Sequence, residues 1–350
     1  MFTYILLDCI VKLNGERTLS NIYHLLSARK SSQTLQDRNI FNVSAYFGIY
    51  RTLKRANFDQ AIQLLRDENM ITVTEDQVSH ITDEGYNWYL QQEKNSDLLF
   101  LNGSRFEPHA TELGKTLQLF IQLVTHMHMN DYRFVPIIES TETQRFIKYI
   151  WHHNEFSTEQ LLSMVYQDLY AILDTFPENH AACFVDCLTT RKFIGLNNYQ
   201  LATMHQISVH EVHIIFQNII HYICDQIQNK HTFQFIDQLY RLVPHTKDIT
   251  NSAALTLNYM TKGYSIDEIA VLRQLKNNTI MDHIIEIAYV YPQLDWKPYV
   301  SEDEYLFIKQ MINRAETKKL KIIKSYLPDT ISYFQIKLVL ALEKNNKVGE

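Results

Sequence analysis

Between residues 263 and 287 the apolar positions return at helical spacing in two short bursts, in the stretch "GYSIDEIAVLRQLKNNTIMDHIIEI". Ile269 and Ala270 form the inward stripe of the first burst, and Ile280, Ile284 and Ile287 that of the second. Ser265 followed three residues later by Glu268 is a capping box, so a helix starts at Ile266. Arg273, Gln274 and Leu275 form the turn, and a second helix starts near Asn277. Its outer face is left with Asn277, Asn278, Met281, Asp282 and Glu286.

The same pattern recurs upstream. "YQLATMHQISVHEVHIIF" aligns without gaps on "DEIAVLRQLKNNTIMDHI", matching Ala202 to Ala270, Gln206 to Gln274, Ile207 to Leu275 and Val212 to Ile280. A small residue where two helices cross, an apolar residue in the turn and another five residues later satisfy helix-turn-helix packing.

The remaining pattern is mostly helical. "TLSNIYHLLSAR" carries Ile22, Leu25 and Leu26 on one stripe, with Ser20 as a candidate cap. "RKSSQT" breaks it, and residues 42–70 predict one or two further helices. Ile71 and Val73, then Val78 and Ile81, alternate around Glu75-Asp76-Gln77 and predict a short β-hairpin. Thr82 is placed to cap the next helix. Helices followed by a hairpin make a winged-helix outline. The expected fold class is mainly α, in three segments: a winged-helix-like domain over 1–105, a helical middle domain with the second helix-turn-helix-like unit over 106–244, and a helix-turn-helix domain over 245–350. "LNGSRFEPH", with Gly103 and Pro108, reads as a linker. "MFTYILLDCIVKL" reads as a buried first helix, not a signal peptide.

Composition supports this picture and narrows the function. Gly (8) and Pro (7) are scarce among 350 residues, as suits a helical chain. The formal net charge is −6, divided as −2 over Met1–Pro108, −5 over His109–Pro244 and +1 over His245–Glu350. No segment is strongly basic, so any DNA surface must be local. Four cysteines (Cys9, Cys183, Cys187, Cys224) form no disulfide framework, which favours a reducing cytoplasm. No uncharged run approaches the ~20 residues that span a bilayer. The expected location is therefore the cytoplasm, and the nucleoid when DNA is engaged.

Lys276, Asn277 and Asn278 open the second helix, where such folds meet base edges. Asp282 and Glu286 on the same face oppose close approach to phosphates. A basic cluster follows, Lys309, Arg314, Lys318, Lys319, Lys321 and Lys324, suited to holding phosphates through counterion release. A second cationic group, Arg29, Lys30, Arg51, Lys54 and Arg55, is a candidate for a nucleic-acid backbone or an acidic partner. His210 and His213 fall on the outer face of the upstream second helix and are weaker contact candidates. Histidine and cysteine spacing does not converge as metal ligation requires. The sequence holds no G-x-x-x-x-G-K-[ST] phosphate loop, nucleophile elbow or dinucleotide fingerprint. No enzyme, metal or cofactor is expected.

Tyr259 to Leu342 resembles the helix-turn-helix domain at the C-termini of many RecQ-type DNA helicases. The resemblance is carried by "GYSIDEIAVLRQLKNNTIMDHI", "VSEDEYLFIKQMI" and "KLKIIKSYLPDTISYFQIKLVLAL", with Thr279, Ile280 and His283 matching that family's Thr-Ile/Val-x-x-His. The rest of the chain is similar to the YpbB family of Firmicutes through "HLLSARKSSQTLQDRNIF" and "YFGIYRTLKRANF". The resemblance implies a non-catalytic accessory protein in DNA repair or recombination. Its partner would be a RecQ-type helicase encoded beside it, and its contact with DNA weak and non-specific. The alternatives are a helix-turn-helix transcription regulator and an interaction scaffold without nucleic-acid binding.

Overall fold

The structure, a computed structural model, describes all residues except 94–98, 108, 230–232, 244–248, 292, 316–319 and 348–350, and no side chain at 32 or 344–347. The N-terminal half runs α1 (Phe2–Leu13), α2 (Leu19–Leu26), α3 (Ser32–Ile40), a 3-10 turn (Ser44–Tyr46), α4 (Arg55–Asp67), β1 (Ile71–Val73), β2 (Ser79–Ile81), α5 (Asp83–Glu93), α6 (Gly103–Phe106), α7 (His109–His128), α8 (Thr141–His153) and α9 (Thr158–Leu173). There follow α10 (Glu178–Asp186), α11 (Asn198–Met204), α12 (Val209–Gln228), α13 (Ile236–Leu242), α14 (Asn251–Met260), α15 (Ile266–Arg273), α16 (Asn277–Val290), α17 (Glu302–Arg314), α18 (Leu320–Ser325) and α19 (Tyr333–Lys347). The fold is mainly α, and the β1–β2 hairpin is the one sheet among the described residues.

Backbone contacts divide the chain into two compact units of discontinuous segments. One comprises Met1–Val11, Ala45–Thr74 and Ser79–Thr246; the other comprises Lys12–Ser44, Glu75–Val78 and Lys247–Glu350. This grouping differs from the three consecutive segments expected. Its physical reason lies in α3, which packs on α16 and α19, so residues near the start of the chain complete the core around the C-terminal helices.

In the first unit α7 is the central helix. Leu113, Leu117, Phe120 and Val124, spaced by three or four, are completely buried, and α8, α9, α12 and α13 pack around α7. Residues spaced this way share one face, so a single stripe serves several neighbours. The hairpin is antiparallel with Ile71 opposite Ile81. Thr82 caps α5 as expected, its hydroxyl accepting the Gly85 N–H at 3.0 Å. The first helix is buried too: Asp8 accepts hydrogen bonds from the Tyr46 and Tyr89 hydroxyls at 2.7 and 2.9 Å.

The stretch read as a linker is tied down instead. Leu101 and Phe106 are buried. Phe100 N–H donates to the Asn218 side chain at 2.7 Å, and Asn102 N–H to His221 Nδ1 at 2.9 Å. Gly103 sits against the chain at Phe47, where an added Cβ would lie 1.9 Å from the carbonyl oxygen. Gly103 is thus a close-approach residue rather than a hinge. Pro108 lies outside the described residues.

In the second unit α16 is central, packed by α3, α14, α15 and α19. The α2 stripe is buried as expected. Its N-cap is Thr18 rather than Ser20, which lies within the helix. Asp37 on α3 organises the surrounding polar groups, accepting from Arg17 Nε at 2.9 and 3.0 Å, from Asn21 at 3.1 Å and from Gln33 at 2.8 Å. Ser31 in the polar break caps α3 through the Thr34 N–H.

Candidate nucleic-acid interface

The α15–turn–α16 element is built as its residues dictate. Ser265 Oγ accepts the Glu268 N–H at 3.3 Å, and Glu268 Oε2 accepts the Ser265 N–H at 2.8 Å, so both bonds of the capping box form. Gln274 adopts the left-handed conformation (φ 52°, ψ 42°) and ends α15. Leu275 N–H then reaches back to the Ala270 carbonyl at 2.9 Å, closing the helix end. Ile280, Ile284 and Ile287 are completely buried, and Ala270 is nearly so, where α15 crosses α16.

The upstream echo is structural as well. Between α11 and α12, Gln206 also turns left-handed (φ 53°). Ile207 N–H bonds the Ala202 carbonyl at 3.0 Å, as Leu275 does with Ala270. The two turns therefore share a backbone path, for the reason read from their side chains.

The outer face of α16 differs from the expectation. Lys276, Asn277 and Asn278 are exposed at its N-terminus, and the Asn277 amide donates to Asp267. Glu286, expected outward, is buried at 4% exposure. It accepts the Thr250 N–H at 2.5 Å and the Thr250 hydroxyl at 3.1 Å, tying α16 to the N-cap of α14. Asp282 remains exposed, 3.9 Å from Lys337 Nζ. The expected acidic face is thus one paired carboxylate, and its repulsion of phosphates is smaller than two acids would give. His283, of the helicase-type motif, points inward. Arg273 donates to Thr256 Oγ1 and to the Ser252 carbonyl, and Thr256 in turn contacts His283 Nδ1 at 2.9 Å. Burial, then the Arg273 charge, lowers the His283 pKa, which favours the neutral imidazole.

Burial raises the Glu286 pKa, against the Thr250 bonds and the cations Lys30 and Arg38, which pull it down. A raised carboxyl pKa means that the folded state holds its proton longer than the unfolded chain. Stability is then lost as pH rises from the unfolded carboxyl pKa through the folded one. Glu286→Gln is expected to remove this dependence. Urea midpoints from about pH 4 to about pH 8 should show wild type losing ground to the variant as pH rises; parallel profiles would contradict the assignment.

The basic cluster is only partly available. Lys309 Nζ is paired with Glu343 at 2.7 Å. Lys324 Nζ donates to the carbonyls of Pro328 and Ile331 at 2.8 and 2.6 Å, closing the turn between α18 and α19. Lys318 and Lys319 lie outside the described residues. Arg314 and Lys321 are exposed. Lys321 also lines a polar cleft of about 490 Å³ with Arg17 and Gln33.

The second cationic group is distributed over both units. Arg29 and Lys30 belong to one, with Arg29 Nη1 2.8 Å from His24 Nε2. Arg51, Lys54 and Arg55 belong to the other. There Arg51 approaches the buried Glu107 at 3.5 Å, Arg55 pairs with Asp59 at 2.8 Å and Lys54 is exposed.

His210 and His213 are packed inward, contrary to the expectation. His210 stacks on Phe2 at 4.6 Å and contacts the Tyr50 hydroxyl at 3.1 Å. His213 stacks on Tyr50 at 3.8 Å and bonds the Ile49 carbonyl at 2.9 Å. This α12 face is packed against α1 and the segment before α4, so both imidazoles are engaged within the fold. Sequence reading also missed Val271 and Leu272, 77% and 52% exposed on α15. Their positions opposite the Ile269–Ala270 stripe were the available signal.

A family model described as a helix-turn-helix domain matches residues 252–340. Over 342 residues the chain is 28% identical to Protein YpbB of Bacillus subtilis (strain 168), covering 97% of this chain and 96% of that protein. No solved structure matches. No helix among the described residues is long and apolar enough to cross a membrane. Full-length similarity and the helix-turn-helix domain together are those of a DNA-related protein. The chain is thus similar to YpbB along nearly its whole length, with a helix-turn-helix domain matched over residues 252–340.

Proposed function

We propose that the chain is a non-catalytic accessory protein of a RecQ-type DNA helicase, acting in repair or recombination. It docks on the helicase and touches DNA locally through its C-terminal basic residues. The observation that carries this reading is the α15–turn–α16 geometry within a domain resembling the C-terminal module of such helicases. An accessory chain would supply that module in trans. The negative total charge supports protein docking as the main role, with a small DNA footprint. Lys276, Asn277, Asn278, Arg314 and Lys321 are the exposed residues assigned to that footprint.

The test is a DNA titration at two salt concentrations, together with affinity capture of the native chain from its host. Joint replacement Arg314→Glu and Lys321→Glu should weaken duplex binding about tenfold at low salt. It should also flatten the log K against log salt slope by about two. Unchanged affinity would remove the DNA part of the proposal. Absence of a helicase lacking its own C-terminal domain from the captured material would remove the docking part. Strong preference for one DNA sequence would favour a transcription regulator, and no DNA binding at any salt a pure scaffold.

A further inference from the structure

The second unit contains an aromatic cleft of about 820 Å³ that the helix-turn-helix reading leaves unused. It lies between the α14–α15 connection and the segment joining α16 to α17, and its lining includes Leu257, Met260, Tyr264, Tyr291, Asp295 and Tyr299. Its size falls within the ~300–1,000 Å³ of built binding sites, which combine apolar walls with a few polar groups. Tyr264 and Tyr291 line the cleft and are each 41% exposed, so their rings are accessible from it. Tyr264 meets Tyr259 edge-on at 5.7 Å.

The electrostatics of the cleft select its occupant. Asp295 is the charged side chain on the described lining; its carboxylate accepts the Lys297 backbone N–H at 3.2 Å and is otherwise turned to solvent. It lies close enough to Tyr299 to add to the burial that raises that phenol's pKa. Glu268 adds a second carboxylate, hydrogen-bonded to the lining residue Ser265. The neighbouring cations are engaged: Lys297 pairs with Glu302 at 2.7 Å, and Lys262 sits over the Tyr259 ring at 5.8 Å. Tyrosine rings beside an exposed carboxylate suit a guanidinium, which stacks on aromatic rings and bonds carboxylates, and which would compete with Lys297 for Asp295. The same carboxylates repel a phosphate backbone, so single-stranded DNA fits poorly despite the stacking surface.

We infer that this cleft docks a protein segment presenting an arginine beside a large apolar side chain. The apolar side chain fills the Leu257–Met260 wall, and the guanidinium lies against the tyrosines with Asp295 as counter-ion. The inference goes beyond the helicase proposal and holds whatever chain supplies the segment.

The test uses the full chain, isotope-labelled for amide NMR, titrated with the peptide Gly-Ser-Arg-Trp-Leu-Arg-Ser-Gly. Shifts should gather at residues 257–266 and 291–299. Asp295→Lys should weaken binding at least about tenfold, and Tyr264→Ala should weaken it while leaving the remaining spectrum in place. The peptide with glutamate in place of arginine should not bind. No shift in the cleft, equal binding of the glutamate peptide, or equal binding by Asp295→Lys would each overturn the inference. So would an oligothymidylate that shifts the cleft in place of the arginine peptide.

Discussion

Asp168→Ala is expected to destabilise the first unit by about 3–5 kcal/mol, the scale expected when helix-start N–H donors lose the carboxylate that accepts from them. Asp168 projects from α9, is 4% exposed, and accepts three backbone N–H groups from a segment 66–68 residues away: Gln234 and Phe235 at 2.7 Å and Ile236 at 3.0 Å. These are the donors at the start of α13, whose N-cap residue Phe235 has no side chain able to satisfy them. A carboxylate there satisfies the orphan N–H groups and meets the positive end of the helix. Alanine leaves the buried Phe235 and Ile236 donors without a partner, at about 1–3 kcal/mol each. The damage should spread, because Phe235 stacks on the fully buried Phe120 at 4.5 Å. Denaturant unfolding of the full chain would measure the loss. A change below about 1 kcal/mol would mean that the three bonds are not the anchor of α13. Asp168→Asn should cost less, since one amide oxygen still accepts.

Mild acid is expected to weaken the same unit through His213. Burial against Tyr50, opposed by the bond to the Ile49 carbonyl and by the charge of Glu107, lowers its pKa from 6.5 to about 4; His210 adds a smaller push downward. Burial outweighs the bond between Nε2 and the Ile49 carbonyl, so the folded state favours the neutral imidazole. A depressed folded pKa means that the unfolded chain binds the proton first. The stability from His213 is therefore intact above about pH 6.5 and is lost as pH falls towards about 4. At about 1.4 kcal/mol per unit, the gap corresponds to about 3 kcal/mol. His213→Gln should lack this loss. The stability difference between wild type and variant should shrink as pH falls through that window. A difference that stays level would show that His213 is already protonated, or already solvated, in the folded chain.

These two residues show where sequence reading stops. Asp168 lies on a helix that its own period predicts, but nothing within seven residues hints at its partners. The helix-turn-helix outline places His213 on the outer face. Gln206 and Ile207 form the same turn as Gln274 and Leu275. What covers the face is chain from residues 2 and 49–50.

Local physics accounts for what the sequence by itself determined. Capping boxes, left-handed turn residues and the inward isoleucines of α16 depend on neighbours within a few positions, so Ser265, Gln274 and Ile280 announce their roles in the string. The mainly helical class follows from the same periodicity. Tertiary structure alone decided which outer-edge polar groups stay free. Glu286 holds Thr250, the N-cap of α14, Lys309 pairs with Glu343 and Lys324 closes a turn. It also decided that α3 completes the C-terminal core and that residues 257–299 enclose an aromatic cleft. The helical period says which side of a helix is apolar; only the arrival of a distant segment says whether the opposite side meets water.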